Sequence, residues 1–388
     1  MDRARSQSLA LALGGLIALA AAMGIGRFVY TPILPFMEQA LGLSKAEAGV
    51  VASANFLGYL LGALGAAAAR LPGGRRFWFL AALGVSAATT GAMGLATALP
   101  AFLALRFLGG LASAFVLVFG SALVLDRLAQ AGRPGLSSLH FAGVGSGIAA
   151  SAVLVWGLAA GGGDWRALWL ASGALSLLAL LAARALVPGD TEAAPPAPGA
   201  APTVGGDRRL LALTLAYGLF GFGYVITATF ISTLVRGTPE ISALEGLVWL
   251  VVGLAAIPSV AFWAWLGRRW GNDRSFALAC LVEGIGVALS VLVSGPVVIV
   301  VAAALLGGTF MGITALGLIN ARALARGDPR RAIAMMTAAF GLGQMIGPSF
   351  AGYAYGFGDS FLLPSLAAAA ALVVSAALTC NLRPARGA

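Results

Sequence analysis

The sequence predicts an all-α polytopic membrane protein of twelve transmembrane helices, two six-helix halves in a parallel repeat. Three observations carry that expectation. The 388 residues are 60% hydrophobic and only 10% charged. Soluble domains carry about 25% charged residues, so this chain has too little polar surface to cover a globule in water. Apolar runs long enough to cross about 30 Å of hydrocarbon recur twelve times. The basic residues gather in alternate connections between those runs.

The runs lie at 9–31, 46–69, 77–96, 100–125, 136–160 and 165–187. After a break they resume at 210–235, 246–266, 275–294, 296–321, 332–356 and 360–380. The break, 188–209, contains EAAPPAPGAAP, whose Pro, Ala and Gly content suits a solvated linker without a core. The chain divides into an N-terminal six-helix bundle (1–187), a cytoplasmic linker (188–209) and a C-terminal six-helix bundle (210–388). The start, MDRARSQSLALALGGLIALAAAMG, has the basic opening of a signal peptide. Its apolar run is too long for an h-region and continues into GIGRFVYTPILP, which predicts a retained first span.

Charge sets the orientation. Arg3, Arg5, Arg70, Arg75, Arg76, Arg127, Arg133, Arg184, Arg208, Arg209, Arg268, Arg269, Arg274, Arg322, Arg326, Arg330, Arg331, Arg383 and Arg386 all fall on one side. Only Lys45, Arg166 and Arg236 fall on the other, among Glu38, Glu47, Asp164, Glu240, Glu245 and Asp359. By the positive-inside rule both termini and the linker are cytoplasmic. The net charge of +10 is spread over loops rather than gathered in one patch, which argues against nucleic acid. Cys280 and Cys380 lie in apolar segments and read as packing residues, not as a disulfide or metal pair.

The halves match at an offset of 197 or 198. Gly24-Ile25-Gly26 aligns with Gly221-Phe222-Gly223, and Leu108-Gly109-Gly110 with Leu306-Gly307-Gly308. Gly143-Val144-Gly145 aligns with Gly341-Leu342-Gly343, and Ser44-x-x-Glu47 with Ser242-x-x-Glu245. Both Ser-x-x-Glu pairs open a span and predict capping boxes. Six spans per half is an even number, so both halves share one topology, related by an axis along the membrane normal.

Twelve spans, a six-plus-six repeat and a central linker resemble the major facilitator superfamily over nearly the whole chain. Arg106-Phe107-Leu108-Gly109-Gly110 looks like that superfamily's Arg-x-x-x-Gly motif. The basic loop Arg70-Leu-Pro-Gly-Gly-Arg75-Arg76 looks like its cytoplasmic loop motif, without the expected aspartate; Gly267-Arg268-Arg269-Trp270-Gly271 lacks it too. More narrowly, GIGRFVYTPILP (24–35), HFAGVGSGIA (140–149) and AYGLFGFGYVITATF (216–230) look like the YbfB/YjiJ-type branch. The resemblance implies a secondary transporter working by alternating access between the halves. It places the first, second, fourth and fifth spans and their counterparts along the path, and names no substrate.

Polar groups inside a membrane are read as functional first. Arg27 leads. It sits between Gly24 and Gly26 on one side and Pro32 and Pro35 on the other, where a loosened helix presents a guanidinium suited to bidentate contact with a carboxylate. Its rival role is to pair with backbone carbonyls or to snorkel. Tyr30, Asn55, Tyr59, Tyr224, Thr227 and Gln344 are the neutral candidates for substrate contact or gating; Asn55 and Gln344 would also serve as glue between helices. Arg106, His140 and Glu283 are candidates for coupling. Arg106 lies six residues past Pro100, about 9 Å from the outer end by helical rise, and would alternatively tie the fourth span to the first. His140 and Glu283 have structural hydrogen bonding as the competing role. Arg70, Arg75 and Arg76 form the loop motif, and Asp126 beside Arg127 is expected to make an interfacial ion pair.

The only lysine, Lys45, is followed by alanine, so no phosphate-binding Gly-Lys-Ser/Thr loop exists and direct ATP drive is excluded. One histidine excludes a His-Glu-x-x-His zinc site, and no Gly-x-Ser-x-Gly elbow is present. No enzyme, metal or cofactor is expected. The expected function is movement of a small anionic or zwitterionic solute, coupled to protons, with efflux favoured, by a monomer in the lipid bilayer of the bacterial inner membrane. Neutral or cationic solutes and a transport-inactive sensor are the alternatives.

Overall fold

The computed structural model describes residues 2–68, 72–189, 208–325 and 329–380. Among these the chain is all helix, without a strand. The helices are α1 (Asp2–Leu19), α2 (Tyr30–Leu41), α3 (Lys45–Ala68), α4 (Arg75–Ala92), α5 (Leu99–Gln130), α6 (Ser137–Ala160) and α7 (Trp165–Leu186). After the linker come α8 (Arg208–Gly237), α9 (Glu245–Trp270), α10 (Asn272–Leu292), α11 (Pro296–Leu324), α12 (Pro329–Tyr355) and α13 (Leu362–Thr379). Eleven stretches are long and apolar enough to cross a membrane, with α1 and α2 forming one of them. Among the described residues the helix α4 stands outside that set, since the two arginines that open it make it less apolar than α13 of the same length. The linker residues 190–207 and Arg70 lie outside the described residues.

Local chemistry explains the ends. Ser44 and Glu47 form the expected capping box: the Ser44 N–H donates to Glu47 Oε2 at 2.9 Å and the Glu47 N–H to Ser44 Oγ at 3.2 Å. The second box does not form. Residues Ser242–Leu244 take a 3₁₀ turn, Ser242 Oγ donates to the Pro239 carbonyl, and Glu245 is drawn away to Arg236 at 2.6 Å. An ion pair outcompetes the box there. Proline opens α5 and α11, where its missing N–H costs nothing. Asp164 caps α7 through the Ala167 N–H.

Among the first seven helices, α3 and α4 pack on α5, α4 also on α7, and α1 on α6 and α7. In the second set, α9 and α10 pack on α11, α10 also on α13, and α8 on α12 and α13. Counted in spans, the two sets of pairings correspond. Three seams join them: α3 against α12, α6 against α9, and α2 against α8. Glycine permits close approach at these seams: a Cβ at Gly145 on α6 would stand 2.6 Å from the Ile257 nitrogen of α9. One aligned glycine pair does not share a role. Gly143 meets Leu16 within its own set, while its sequence counterpart Gly341 meets Leu60 across the seam.

Large apolar side chains such as Leu177, Leu178 and Leu181 on α7, and Leu211 and Leu215 on α8, point outward, as a lipid-facing surface requires. Cys280 is buried beside Ser375, as a packing residue should be. Cys380 is exposed at the end of α13, contrary to its expected packing role, because the helix stops one residue earlier.

Candidate functional site: a broken first helix and a buried cation

The first span is not the single helix expected at 9–31. Regular α-helix ends at Leu19, a π-turn follows over Ala20–Ile25, and helix resumes at Tyr30 and runs on to Leu41. The Gly26 N–H reaches five residues back to Ala21 (2.7 Å), and the Phe28 N–H to Met23 (3.3 Å). Wide turns of this kind often mark functional sites. Pro32 explains the far side of the break. It has no N–H for the Phe28 carbonyl, so the Thr31 N–H turns to Phe28 at 3.2 Å, and the Arg27 carbonyl loses its donor. Gly24 and Gly26 keep the break compact: a Cβ on Gly26 would stand 2.6 Å from Ser86 Oγ, and one on Gly24 would strike the α6 backbone at Gly147.

Arg106 on α5 satisfies the loosened backbone. Its Nη1 donates to the Gly26 carbonyl at 3.0 Å and its Nη2 to the Arg27 carbonyl at 2.9 Å, with the guanidinium 5.0 Å from the Tyr30 ring centre. Asn55 on α3 donates to the Arg106 carbonyl at 2.9 Å, and a Cβ on Gly110 would overlap the Asn55 carbonyl. Arg106, Asn55 and Gly110 are thus one clamp joining α3, α5 and the break. Tyr30 belongs to this support: its hydroxyl donates to the Ala48 carbonyl at 2.9 Å.

The break holds Arg27 at the seam between the two sets of helices, only 3% exposed. Its Nη2 donates to Gln344 Oε1 on α12 at 2.7 Å, and the Gln344 amide donates to the Tyr224 hydroxyl on α8. The guanidinium stands 4.1 Å from the Tyr59 ring centre and 4.6 Å from that of Phe56, both on α3. Its Nε has no partner, and no carboxylate of the described residues lies within ion-pair distance. Opposite stands an aromatic stack. Tyr224 lies nearly parallel to Phe310 (5.7 Å, 8°) and Phe340 (6.0 Å, 5°), with Phe220 at 5.2 Å. Arg27, Tyr59, Tyr224 and Gln344 therefore meet, as a fixed positive charge facing an aromatic slab. Thr227 follows one turn after Tyr224, its buried hydroxyl without a partner.

Other candidates stand apart. His140 is buried where α6 meets α1 and α5, with Nε2 3.3 Å from Ser121 Oγ and its ring against Gly15. Glu283 is buried on α10 beside Thr309 of α11, within electrostatic range of Tyr224. Arg75 pairs with Asp126 at 3.3 Å, both exposed. The ion pair expected between Asp126 and Arg127 is thus replaced: Arg127 donates instead to the Pro188 and Gly189 carbonyls past the end of α7. Arg76 donates to the carbonyls of Val187 (2.9 Å) and Arg184 (2.8 Å).

The sequence reading missed the far end of α2. There Glu38 accepts from Lys45 at 2.7 Å and from Thr233 of α8 at 3.2 Å, while at the near end Thr31 donates to the Ala228 carbonyl at 2.6 Å. Arg236 stacks 3.7 Å from the Phe36 ring centre. Glu38 lies seven residues before Lys45, and that spacing offered no pairing signal across a turn.

A family model covers residues 19–380, described as "Uncharacterised MFS-type transporter YbfB". The chain belongs to that family. It is an integral membrane transporter of the major facilitator type, as the sequence resemblance implied. No curated protein matches it. Its fold is similar to crystal structures of the nucleoside transporter NupG. A mutant of that protein matches with a TM-score of 0.75 at 16% identity, over 96% of this chain and 99% of that one. A second NupG structure matches with a TM-score of 0.71 at 16% identity, over 97% and 98%. At such identity the likeness speaks for the fold alone.

Proposed function

We propose that this secondary transporter carries a small solute bearing a carboxylate or similar anionic group, with Arg27 as the charge that recognises it. One observation supports the reading above the others: Arg27 is buried with a neutral amide as its hydrogen-bond partner. Removing a cation from water without a counter-charge is costly, and the Tyr59 and Phe56 faces offset only part of that cost. A substrate carboxylate would supply the missing charge. It would engage Nε, now unpartnered, together with Nη2, the fork that carboxylates fit.

The same contact gives a mechanism. Arg27 and Gln344 lie on opposite sides of the seam, so a carboxylate that replaces the Gln344 oxygen also breaks a bond between the halves. The corresponding helix pairings favour two six-helix units rocking about a central site, the twelve-span plan in which α4 is the third span. We place both termini and the linker in the cytoplasm of a bacterial cell, a reading that the charge asymmetry of the loops supports. We favour proton coupling, export and a monomer.

A second reading has its own support. The slab of Tyr224, Phe310 and Phe340 suits a planar neutral ring, and the solved structures it resembles are titled nucleoside transporters. Thermal shift separates the two. Wild type and Arg27→Gln are titrated with carboxylates, zwitterions, cations and nucleosides at two pH values. A ligand at a hundred times its Kd stabilises by about 2.7 kcal/mol. Carboxylate stabilisation confined to wild type supports the anion reading; equal stabilisation of both proteins by nucleosides or cations overturns it.

A further inference from the structure

The helix α2, whose C-terminal end is expected to face away from the cytoplasm, is stitched to α8 by three contacts along its length. Thr31 donates to the Ala228 carbonyl, Glu38 accepts from Thr233, and Arg236 stacks on Phe36. Only the middle contact depends on a carboxyl group, which can be ionised or neutral. The Glu38 side chain is only 10% exposed, and its second oxygen, Oε1, has no partner. Its surroundings are mixed in charge. Lys45 of α3 bonds it directly, Arg236 of α8 lies within electrostatic range, and Tyr30 and Tyr355 face it from α2 and α12. Glu245 of α9 is held by Arg236 one step further out.

A cavity of about 270 Å³ lies beside this cluster. Lys45 and Thr233, the two partners of Glu38, both line it, with Tyr355, Asp359 and Ser360 on the far wall. The exposed Asp359 and Ser360 place that wall at the surface. Water in the cavity therefore reaches the partners of a nearly buried carboxyl that joins the halves.

We propose that Glu38 is the outer-gate proton site. It takes a proton from outer water when the gate opens and holds the gate shut when ionised. This rests on the proton-coupled transporter reading above. The physical step is simple. An ionised carboxylate accepts a charge-assisted hydrogen bond from the Thr233 hydroxyl, roughly twice as strong as a neutral one. Protonation places the proton on a carboxyl oxygen, cancels the charge that draws Lys45 and Thr233, and weakens one of the three contacts that hold α2 to α8. The direction follows: the lock is present above the Glu38 pKa and is lost as pH falls through it.

The test measures gate opening directly and needs no substrate. Spin labels are placed on Gln39→Cys and Gly237→Cys, exposed positions at the outer ends of α2 and α8, in a Cys380→Ser background with the buried Cys280 kept. In lipid nanodiscs the long-distance population should rise about five- to tenfold between alkaline and acidic pH, the ratio expected from weakening one charge-assisted bond. Glu38→Gln should show a high, pH-independent open population. Thr233→Val, which leaves the carboxyl in place, should also lose the pH response; it carries the test if the glutamine variant does not fold. A wild-type distribution that ignores pH overturns the proposal. So does a response that survives in Glu38→Gln or Thr233→Val, which would put the proton on another group such as Glu245. Neither result touches Arg27, whose carboxylate response is read separately by thermal shift.

Discussion

Replacing Arg106 by methionine tests whether the broken helix depends on its clamp. Arg106 gives two hydrogen bonds, 3.0 Å to the Gly26 carbonyl and 2.9 Å to the Arg27 carbonyl, at a site 3% exposed. Methionine fills similar volume and removes both donors. Each buried carbonyl left unpaired costs about 1–3 kcal/mol. Part is returned because a buried cation no longer has to be desolvated, so the net loss should be about 2–4 kcal/mol. Arg106→Lys offers a single point donor to two carbonyls and should lose about half as much. Reversible unfolding in mixed micelles gives both values. The same clamp positions Arg27, because one of the two carbonyls is its own. A carboxylate that stabilises wild type should therefore stabilise Arg106→Met less, although Arg27 is still present. A methionine variant within about 0.5 kcal/mol of wild type, the scatter of ordinary surface changes, would refute the argument. So would a lysine variant as damaged as the methionine one.

Two further outcomes follow from the same geometry. Gly110→Ala puts a Cβ into the Asn55 carbonyl, a backbone atom that cannot swing aside; α3 and α5 must separate, and the loss should be about 2 kcal/mol or more by unfolding, against almost none for alanine at Gly308, which has open space. Gln344→Glu places a carboxylate at 2.7 Å from the Arg27 guanidinium; the new buried pair should raise the melting temperature by neutralising Arg27, and should cut both the thermal response to external carboxylates and flux at least tenfold, whereas unchanged flux would show that this contact need not open.

The membrane class and eleven of the twelve expected spans were legible because they rest on sums over about twenty residues, where single errors cancel. Arg27 was legible because a charge in an apolar run between glycines and prolines is a local anomaly. The extension of the first span to Leu41 was not. Pro32 and Pro35 follow the expected end of the run at 31, but Pro32 falls in the first turn of the resumed helix, where a missing N–H is tolerated, and Arg106, 79 residues from Arg27, takes up the carbonyls freed at the break. The Ser44 box was legible because it is purely local. The Ser242 box had the same pattern and failed, because Arg236 stands close enough to claim Glu245. Glu38 was passed over as a loop acid, since its burial comes from Thr233, 195 positions on. Pattern reports what a segment prefers; it does not report which distant segment will compete.

The two buried arginines show how acceptors separate residues of the same type and burial. Both are 3% exposed, both stack on tyrosine, and neither has a carboxylate within ion-pair distance among the described residues. They differ in their acceptors. Arg106 is committed to two backbone carbonyls that exist because Pro32 and the π-turn removed their usual donors. Withdrawing it would leave those carbonyls unsatisfied in a buried site, so it cannot turn to a ligand without disturbing the break. Arg27 is held by one side-chain amide, and that amide belongs to the other half. Its partner can be exchanged, and the exchange necessarily alters contact between the halves. The proposed cycle needs a binding event that changes the seam, and of the two arginines only Arg27 has a side-chain partner that a ligand could replace.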